Sequence, residues 1–291
     1  RRVLFRSTQG DNLMSSLEYK IEADLSNLKN IAVCISGEPR TYNMCAESIK
    51  RHFDFPTDVN VKFFAHTWNS NSYKVSNWSA DADTKIEYEE YDIEFINRDL
   101  RNFFDFEKLE VEQKFDETTV FDNLFYSEAK ANLFKRQYEL EHNITFDVVV
   151  KCRFDIAFDP ALPLWKKLWQ SNRLHEKTVY TSSFIMVHEH YIHNIDDVYY
   201  FGSSHTMDLL QTNMFLVNRN LRSNLNSWKN SDFQYNMFHM GPGCSQYLWC
   251  QQNNIAVQDI GRDFTIYRKQ NIPINPFLYY NKIQQESAGI F

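Results

Sequence analysis

Glycine and proline are scarce in this chain, seven of each among 291 residues, and the glycine-built phosphate loops are missing with them. Neither GxGxxG nor GxxxxGKS/T occurs, which excludes a Rossmann dinucleotide fingerprint and a P-loop. No GxSxG supports a serine hydrolase. His66 and His239 invite a metal reading, as does His188-Glu189-His190 with His193 nearby. That last run is HEH and not HExxH, so its two imidazoles, at i and i+2, fall on different helical faces and read as a surface cluster. No apolar run approaches the roughly 20 residues that a bilayer span needs. Basic charge is in deficit: 31 Lys and Arg against 38 Asp and Glu give a net charge of −7 and a pI near 5.7. That balance argues against nucleic-acid binding by broad phosphate neutralisation. The five cysteines show no CxxC spacing, and an odd count leaves at least one thiol unpaired in any intramolecular set. They read as reduced, mostly buried residues of a cytoplasmic protein. Without internal repeats or low-complexity tracts, a solenoid is excluded as well.

Aromatic side chains are abundant: 24 Phe, 16 Tyr and 6 Trp make up 16% of the chain. Flat apolar rings fill cores and also stack on sugars and bases, so the excess suits a carbohydrate or nucleotide site. The length is enough for one large domain with a sizeable core. Residues 1–7, RRVLFRS, read as the translation of a sequencing-adapter oligonucleotide. On that reading residues 1–13 are a leader without structure, Met14 is the start, residues 14–291 are a single domain, and the source is assembled environmental DNA.

Regular patterning begins at Ile31-Ala32-Val33-Cys34-Ile35, a short apolar strand, followed by helical spacing over 43–53 and a second strand over Val59–Ala65 that ends in His66-Thr67-Trp68. This β-loop-α-β opening favours a parallel sheet. Residues 69–82 read as a polar loop around Trp78, and 83–114 as an ambiguous acidic stretch at the sheet edge. Helical spacing over 122–141 carries stripes through Phe125, Ala129 and Leu133 and through Ala131, Phe134 and Tyr138. Further on come a short helix over 164–169, strands over 178–182, 196–204 and 255–259, and helices over 206–216 and 244–251.

The most pointed segment is FDVVVKCRFDIAFD, Phe146 to Asp159. A Val-rich run marks a strand buried on both faces, and it delivers Arg153 and Asp155 to its carboxyl end, where ligands of open α/β sheets bind. An acid there can hold a metal and an arginine can clamp a phosphate; an ion pair closing the strand fits the same residues. After the first strand, Ser36-Gly37-Glu38-Pro39-Arg40 offers backbone amides near Gly37 and a guanidinium suited to a diphosphate, or else a tight turn with a solvent-facing arginine.

Taken together and in order, ISGEPRTYNMC, the strand ending FAHTW, FYSEAKANLFKRQYE, FDVVVKCRFDIAF and DDVYYFGSSHTMDLL resemble a family of glycosyltransferases of bacteria, large viruses and phages. The resemblance is collinear from Asn30 to about Asp259. It implies an α/β, GT-A-like fold with a mostly parallel central sheet flanked by helices, and a nucleotide-sugar donor. Ser36, Gly37 and Arg40 would contact the nucleotide, with Thr67 and Trp68 lining the same pocket. Asp155 would stand for the metal-binding acid of the DXD motif, with Mn²⁺ or Mg²⁺ as the ion and Asp159 as a second carboxylate. The chain departs from the motif at Arg153, a cation where the first acid usually stands and one able to neutralise diphosphate itself. An inverting transfer to a glycan or other acceptor needs a carboxylate base. Asp197 is the candidate, with a solvent-facing acid at a strand start as the other reading. Trp68, Trp78 and Tyr200 are candidates to stack on a sugar. The rival from another class is a non-catalytic carbohydrate-binding or virion-associated protein on the same fold. A nucleotidyltransferase would need a glycine-rich phosphate loop that this chain lacks.

Overall fold

Ile31, Val33 and Ile35 face one way and Ala32 and Cys34 the other, and all five are at most 1% exposed. A strand buried on both faces belongs in the middle of a sheet, and the computed structural model places it there. It describes residues 22–24, 28–55, 59–74, 86–114, 120–164, 168, 173–181, 185–187, 190–192, 195–223, 242–261 and 264–266. In chain order the first elements are β1 (Glu22–Asp24), β2 (Asn30–Gly37), α1 (Tyr42–His52), β3 (Asn60–Trp68), β4 (Ser70–Lys74), β5 (Ile86–Glu90), α2 (Ile93–Phe103), β6 (Phe106–Glu112) and α3 (Val120–His142). There follow β7 (Val148–Cys152), β8 (Ile156–Phe158), β9 (Arg173–His175), β10 (Thr178–Thr181), β11 (Ile185–Val187), β12 (His190–Ile192) and β13 (Tyr199–Gly202). The last are α4 (Ser204–Ser223), α5 (Pro242–Gln252), β14 (Ala256–Asp259) and β15 (Phe264–Ile266).

The main sheet has seven strands in the order β14-β10-β13-β7-β2-β3-β6. Every neighbouring pair is parallel except the two made by β13, which opposes both β7 and β10. Tyr42, Cys45, Ala46 and Ile49 of α1 and Ile96 and Leu100 of α2 cover one face, on the side of Ile31, Val33 and Ile35. Residues of α3, α4 and α5 cover the other, on the side of Ala32 and Cys34. This is an α/β fold with a mostly parallel sheet flanked by helices, as the patterning predicts. The chain runs from β2 outward to β3 and β6 and then returns to the opposite edge of β2 as β7. Strand order therefore reverses between β2 and β7, and a crevice opens beyond the carboxyl ends of strands at such a switch point.

The structure revises several local expectations. The stretch over 83–114 contains the helix α2, whose start is set by Asp92 accepting from the Phe95 amide at 2.8 Å. Only Ile96 and Leu100 of that helix are buried, so its apolar stripe is two residues long and easily missed; β6 does lie at the sheet edge. Ser70–Lys74, expected as loop, pairs with β5 in an antiparallel ribbon, because a backbone ladder needs no apolar side chains. In α3, Leu133 is 44% exposed, whereas Ser127, Glu128, Asn132 and Lys135 are buried. Lys135 explains part of this: its Nζ donates to Glu139, Ser204 and Asp208 at 2.8, 2.6 and 2.8 Å, tying α3 to α4 with all three donors used. The strand expected from Asp196 begins at Tyr199, after a turn closed by Asp196.

Cys34, Cys45, Cys152 and Cys250 are buried free thiols, and burial pushes Cys34 and Cys45 up to about 12. No helix among the described residues is long and apolar enough to cross a membrane. The leader over 1–13, Trp78, the helix expected over 164–169 apart from Leu164 and Leu168, His188, Glu189, His193 and His239 lie outside the described residues.

Candidate functional site

The carboxyl edge of the parallel strands carries a row of charges. Strand β2 ends at Gly37, and the chain turns through Glu38 and Pro39 to Arg40, which has a φ of 47°. Strand β7 ends at Cys152 and is followed by Arg153 and Asp155. These two loops meet at the switch point, where Arg40 Nη1 donates to Asp155 Oδ2 at 2.9 Å. Arg153 holds the same carboxylate as a fork, Nε to Oδ1 at 2.9 Å and Nη2 to Oδ2 at 2.6 Å. Asp155 is fully buried, while the Arg40 and Arg153 side chains keep 17% and 13% exposure. Arg40 Nε also donates to Glu38 at 3.1 Å, and Glu38 accepts from Lys114 beyond the end of β6. At the other end Arg153 Nη1 lies 3.9 Å from Asp197 Oδ2. Lys114, Glu38, Arg40, Asp155, Arg153 and Asp197 thus form one chain of alternating charge along the sheet edge. Burial opposes the charge on Arg153, and Asp155 with Asp197 outweighs it, so its pKa rises.

Asp197 reaches this edge through the reversed direction of β13, which pairs Tyr199 with Cys152. The start of β13 therefore lies beside the end of β7. Asp197 is half-buried, whereas its neighbour Asp196 is buried and accepts from the Val198 amide at 3.0 Å to close the turn. Of the two, Asp197 keeps the more exposed side chain, at 34%.

Gly37 is held from both sides. Its amide donates to Ser127 Oγ at 2.8 Å and its carbonyl accepts from Thr67 Oγ1 at 2.8 Å. The expectation that Gly37 leaves its amide open to a diphosphate is therefore corrected: α3 takes that donor. Its φ of 107° still requires glycine. Ser36 is 1% exposed, and its Oγ has no hydrogen-bond partner among the described residues. Thr67 is buried as a brace of the loop. Trp68 is corrected as a stacking surface: β3 continues through it, so the ring is 1% exposed and stacks on Tyr126 at 5.6 Å, with His66 edge-on at 4.8 Å. Tyr200 is likewise fully buried and donates to Glu128 at 3.0 Å.

His66, on β3 two residues before Trp68, lies beneath α3 with Nδ1 2.9 Å from Ser127 Oγ and Nε2 3.6 Å from Glu112. Ser127 donates its single proton to the His66 carbonyl at 3.0 Å, so Nδ1 carries the proton of that contact. Burial lowers the His66 pKa, against an upward pull from Glu112. Below the ordinary histidine value of about 6.5, the unfolded chain takes up a proton that the folded chain refuses, so stability falls as pH falls through that window. We expect a slope of up to about 1.4 kcal/mol per pH unit from this group. His66→Gln should flatten it in urea unfolding between pH 7.5 and 5.5; an unchanged slope would assign the acid sensitivity elsewhere.

The metal ligands expected at Asp155 and Asp159 are not offered as a cage. Both oxygens of Asp155 already accept from guanidiniums. Asp159 is exposed and accepts from the Ala161 amide at 2.9 Å. Among the described residues no group of three or more His, Cys, Asp and Glu is placed to hold a metal ion. Sequence reasoning found Arg40, Arg153, Asp155 and Asp197, and passed over Lys114, Ser127 and the fully buried pair Lys151–Glu128 at 2.9 Å. The signal for the last was present, a lysine inside a run of buried valines.

No family model and no curated protein matches the sequence. Among solved structures the chain is similar to a glycosyltransferase involved in the glycosylation of the major capsid of PBCV-1, with a TM-score of 0.35 and 10% sequence identity over 81% of each chain. The α/β assignment rests on the sheet itself, through its strand order and strand directions.

Proposed function

We propose that this chain is a glycosyltransferase that moves a sugar from a nucleotide-sugar donor to a glycan or other hydroxyl acceptor. The observation that carries the reading is the convergence of Arg40 and Arg153 on Asp155 at the switch point between β2 and β7. A guanidinium pair at the carboxyl edge of an open α/β sheet suits the diphosphate of such a donor. In the transfer, the bond between the anomeric carbon and the diphosphate oxygen breaks, and its electron pair leaves on the diphosphate. Arg40 and Arg153 stabilise that developing charge. The acceptor oxygen bonds to the anomeric carbon, and for an inverting reaction its proton passes to Asp197. Thr67, Ser127 and the left-handed Gly37 hold the loop that carries Arg40; Ser36 lies at the same strand end.

The closed chain of charges also favours the second reading, a non-catalytic carbohydrate-binding protein, because every carboxylate in it already faces a cation. Turnover separates the two. The full chain, incubated with a panel of nucleotide sugars and oligosaccharide acceptors, is expected to release nucleoside diphosphate from one donor class in step with a glycosylated product. Oligosaccharide binding without release from any donor would sink the transferase reading in favour of the binding protein.

A further inference from the structure

We infer that the donor diphosphate is bound without a divalent cation, by Arg40 and Arg153 held in place by Asp155, an inference that rests on the nucleotide-sugar reading above. A carboxylate that ligates Mg²⁺ or Mn²⁺ must aim a lone pair at the ion from 2.0–2.6 Å, to judge by such sites in general. Asp155 has three of its roughly four lone-pair sites committed to cations: Oδ1 accepts from Arg153 Nε, and Oδ2 accepts from both Arg153 Nη2 and Arg40 Nη1. A dication placed there would sit against two guanidiniums in a fully buried position, where like-charge repulsion is poorly screened. Of the other acids of the row, Glu38 is engaged by Arg40 and Lys114, and Asp197 faces the Arg153 guanidinium at 3.9 Å. Asp159 closes a local turn with Ala161. The donor set therefore does not fit a divalent ion.

It does fit an anion. The row holds three cations and three carboxylates, and its loosest link is the 3.9 Å approach of Arg153 Nη1 to Asp197. A guanidinium has five donors in one plane, so Arg153 grips Asp155 through Nε and Nη2 while Nη1 stays directed away from that carboxylate. Nη1 makes no hydrogen bond among the described residues, and a phosphoryl oxygen is the group that completes it. Asp155 on this account is a positioning residue: it fixes the planes of both arginines before the donor arrives.

Calorimetric titration of the full chain with UDP, GDP, ADP and inorganic pyrophosphate, each in EDTA and in Mn²⁺, tests the inference without any substitution. At least one nucleoside diphosphate is expected to bind in EDTA within about threefold of its affinity in Mn²⁺, and Arg153→Gln to weaken that binding about tenfold or more. Arg153→Lys, which keeps the charge and loses the fork, should not restore it. Binding that appears only with Mn²⁺ would overturn the arginine clamp and leave the donor reading standing. Absence of binding by any nucleoside diphosphate in either buffer would overturn both. An Arg153→Gln chain that melts cooperatively and binds as tightly as the unaltered one would also overturn the clamp.

Discussion

Lys151→Met will lower the unfolding free energy by about 3–5 kcal/mol, because it strands a buried carboxylate. Lys151 Nζ lies 2.9 Å from Glu128 Oε1, with both side chains fully buried between β7 and α3. Tyr200 and Gln246 donate to the other oxygen at 3.0 and 3.1 Å, and Lys151 also sits over the Tyr200 ring at 5.5 Å. Burial already pushes the Glu128 carboxyl above its usual range, and Lys151 pulls it back. Without the lysine the folded chain binds a proton at Glu128 that the unfolded chain gives up above about pH 4.3. The folded state then holds more protons than the unfolded one, so the variant's stability falls as pH rises. Its deficit should therefore be smaller at pH 5 than at pH 8. Adding Glu128→Gln should recover most of the loss, since removing both charges removes their desolvation cost. Urea unfolding at the two pH values checks both statements. A single-variant loss below about 1 kcal/mol, the range of exposed pairs, would mean that water reaches the pair.

Asp197→Asn should lower kcat by about 10²- to 10⁴-fold, the usual contribution of a positioned general base. The donor KM should stay within about threefold, because Asp197 meets Arg153 only at 3.9 Å and removal of a group acting in the transition state alone leaves ground-state binding in place. Asp196→Asn is the internal control for its neighbourhood. Asp196 serves the turn before β13, its carboxylate accepting from the Val198 amide, so that change should move the melting temperature more than kcat. Unchanged kcat in Asp197→Asn, measured at saturating donor and acceptor, would remove Asp197 from the base role.

Much of the scaffold was legible because its signals are local. The unbroken burial of Ile31–Ile35 and of the Val148–Val150 run follows from side-chain volume alone, and Arg153 and Asp155 come next in the chain. The α2 helix escaped because its buried stripe has two members. The α3 stripe is legible in part: Phe125, Ala131 and Phe134 are buried as their spacing predicts, whereas Ser127, Glu128, Asn132 and Lys135 are polar groups whose burial is possible only when partners arrive from other elements. Ring chemistry makes Trp68 and Tyr200 candidate sugar platforms, yet burial decides whether a ring has a face to offer, and both rings are buried inside the protein.

The sequence by itself determined that the first strand and the Val-rich strand lie in a sheet buried on both sides, and that their carboxyl ends carry Arg40, Arg153 and Asp155. Those features depend on the order of residues along a single strand and its following loop. Only the tertiary structure decided that β7 lies directly beside β2, which brings Arg40 and Arg153 onto one carboxylate. The direction of β13 was also settled there. Had it run parallel to β7, Asp197 at its start would stand at the opposite edge of the sheet; because it runs antiparallel, Asp197 faces Arg153. Strand direction is set by how the intervening chain crosses the sheet, a contact between distant segments to which no local pattern of side chains responds.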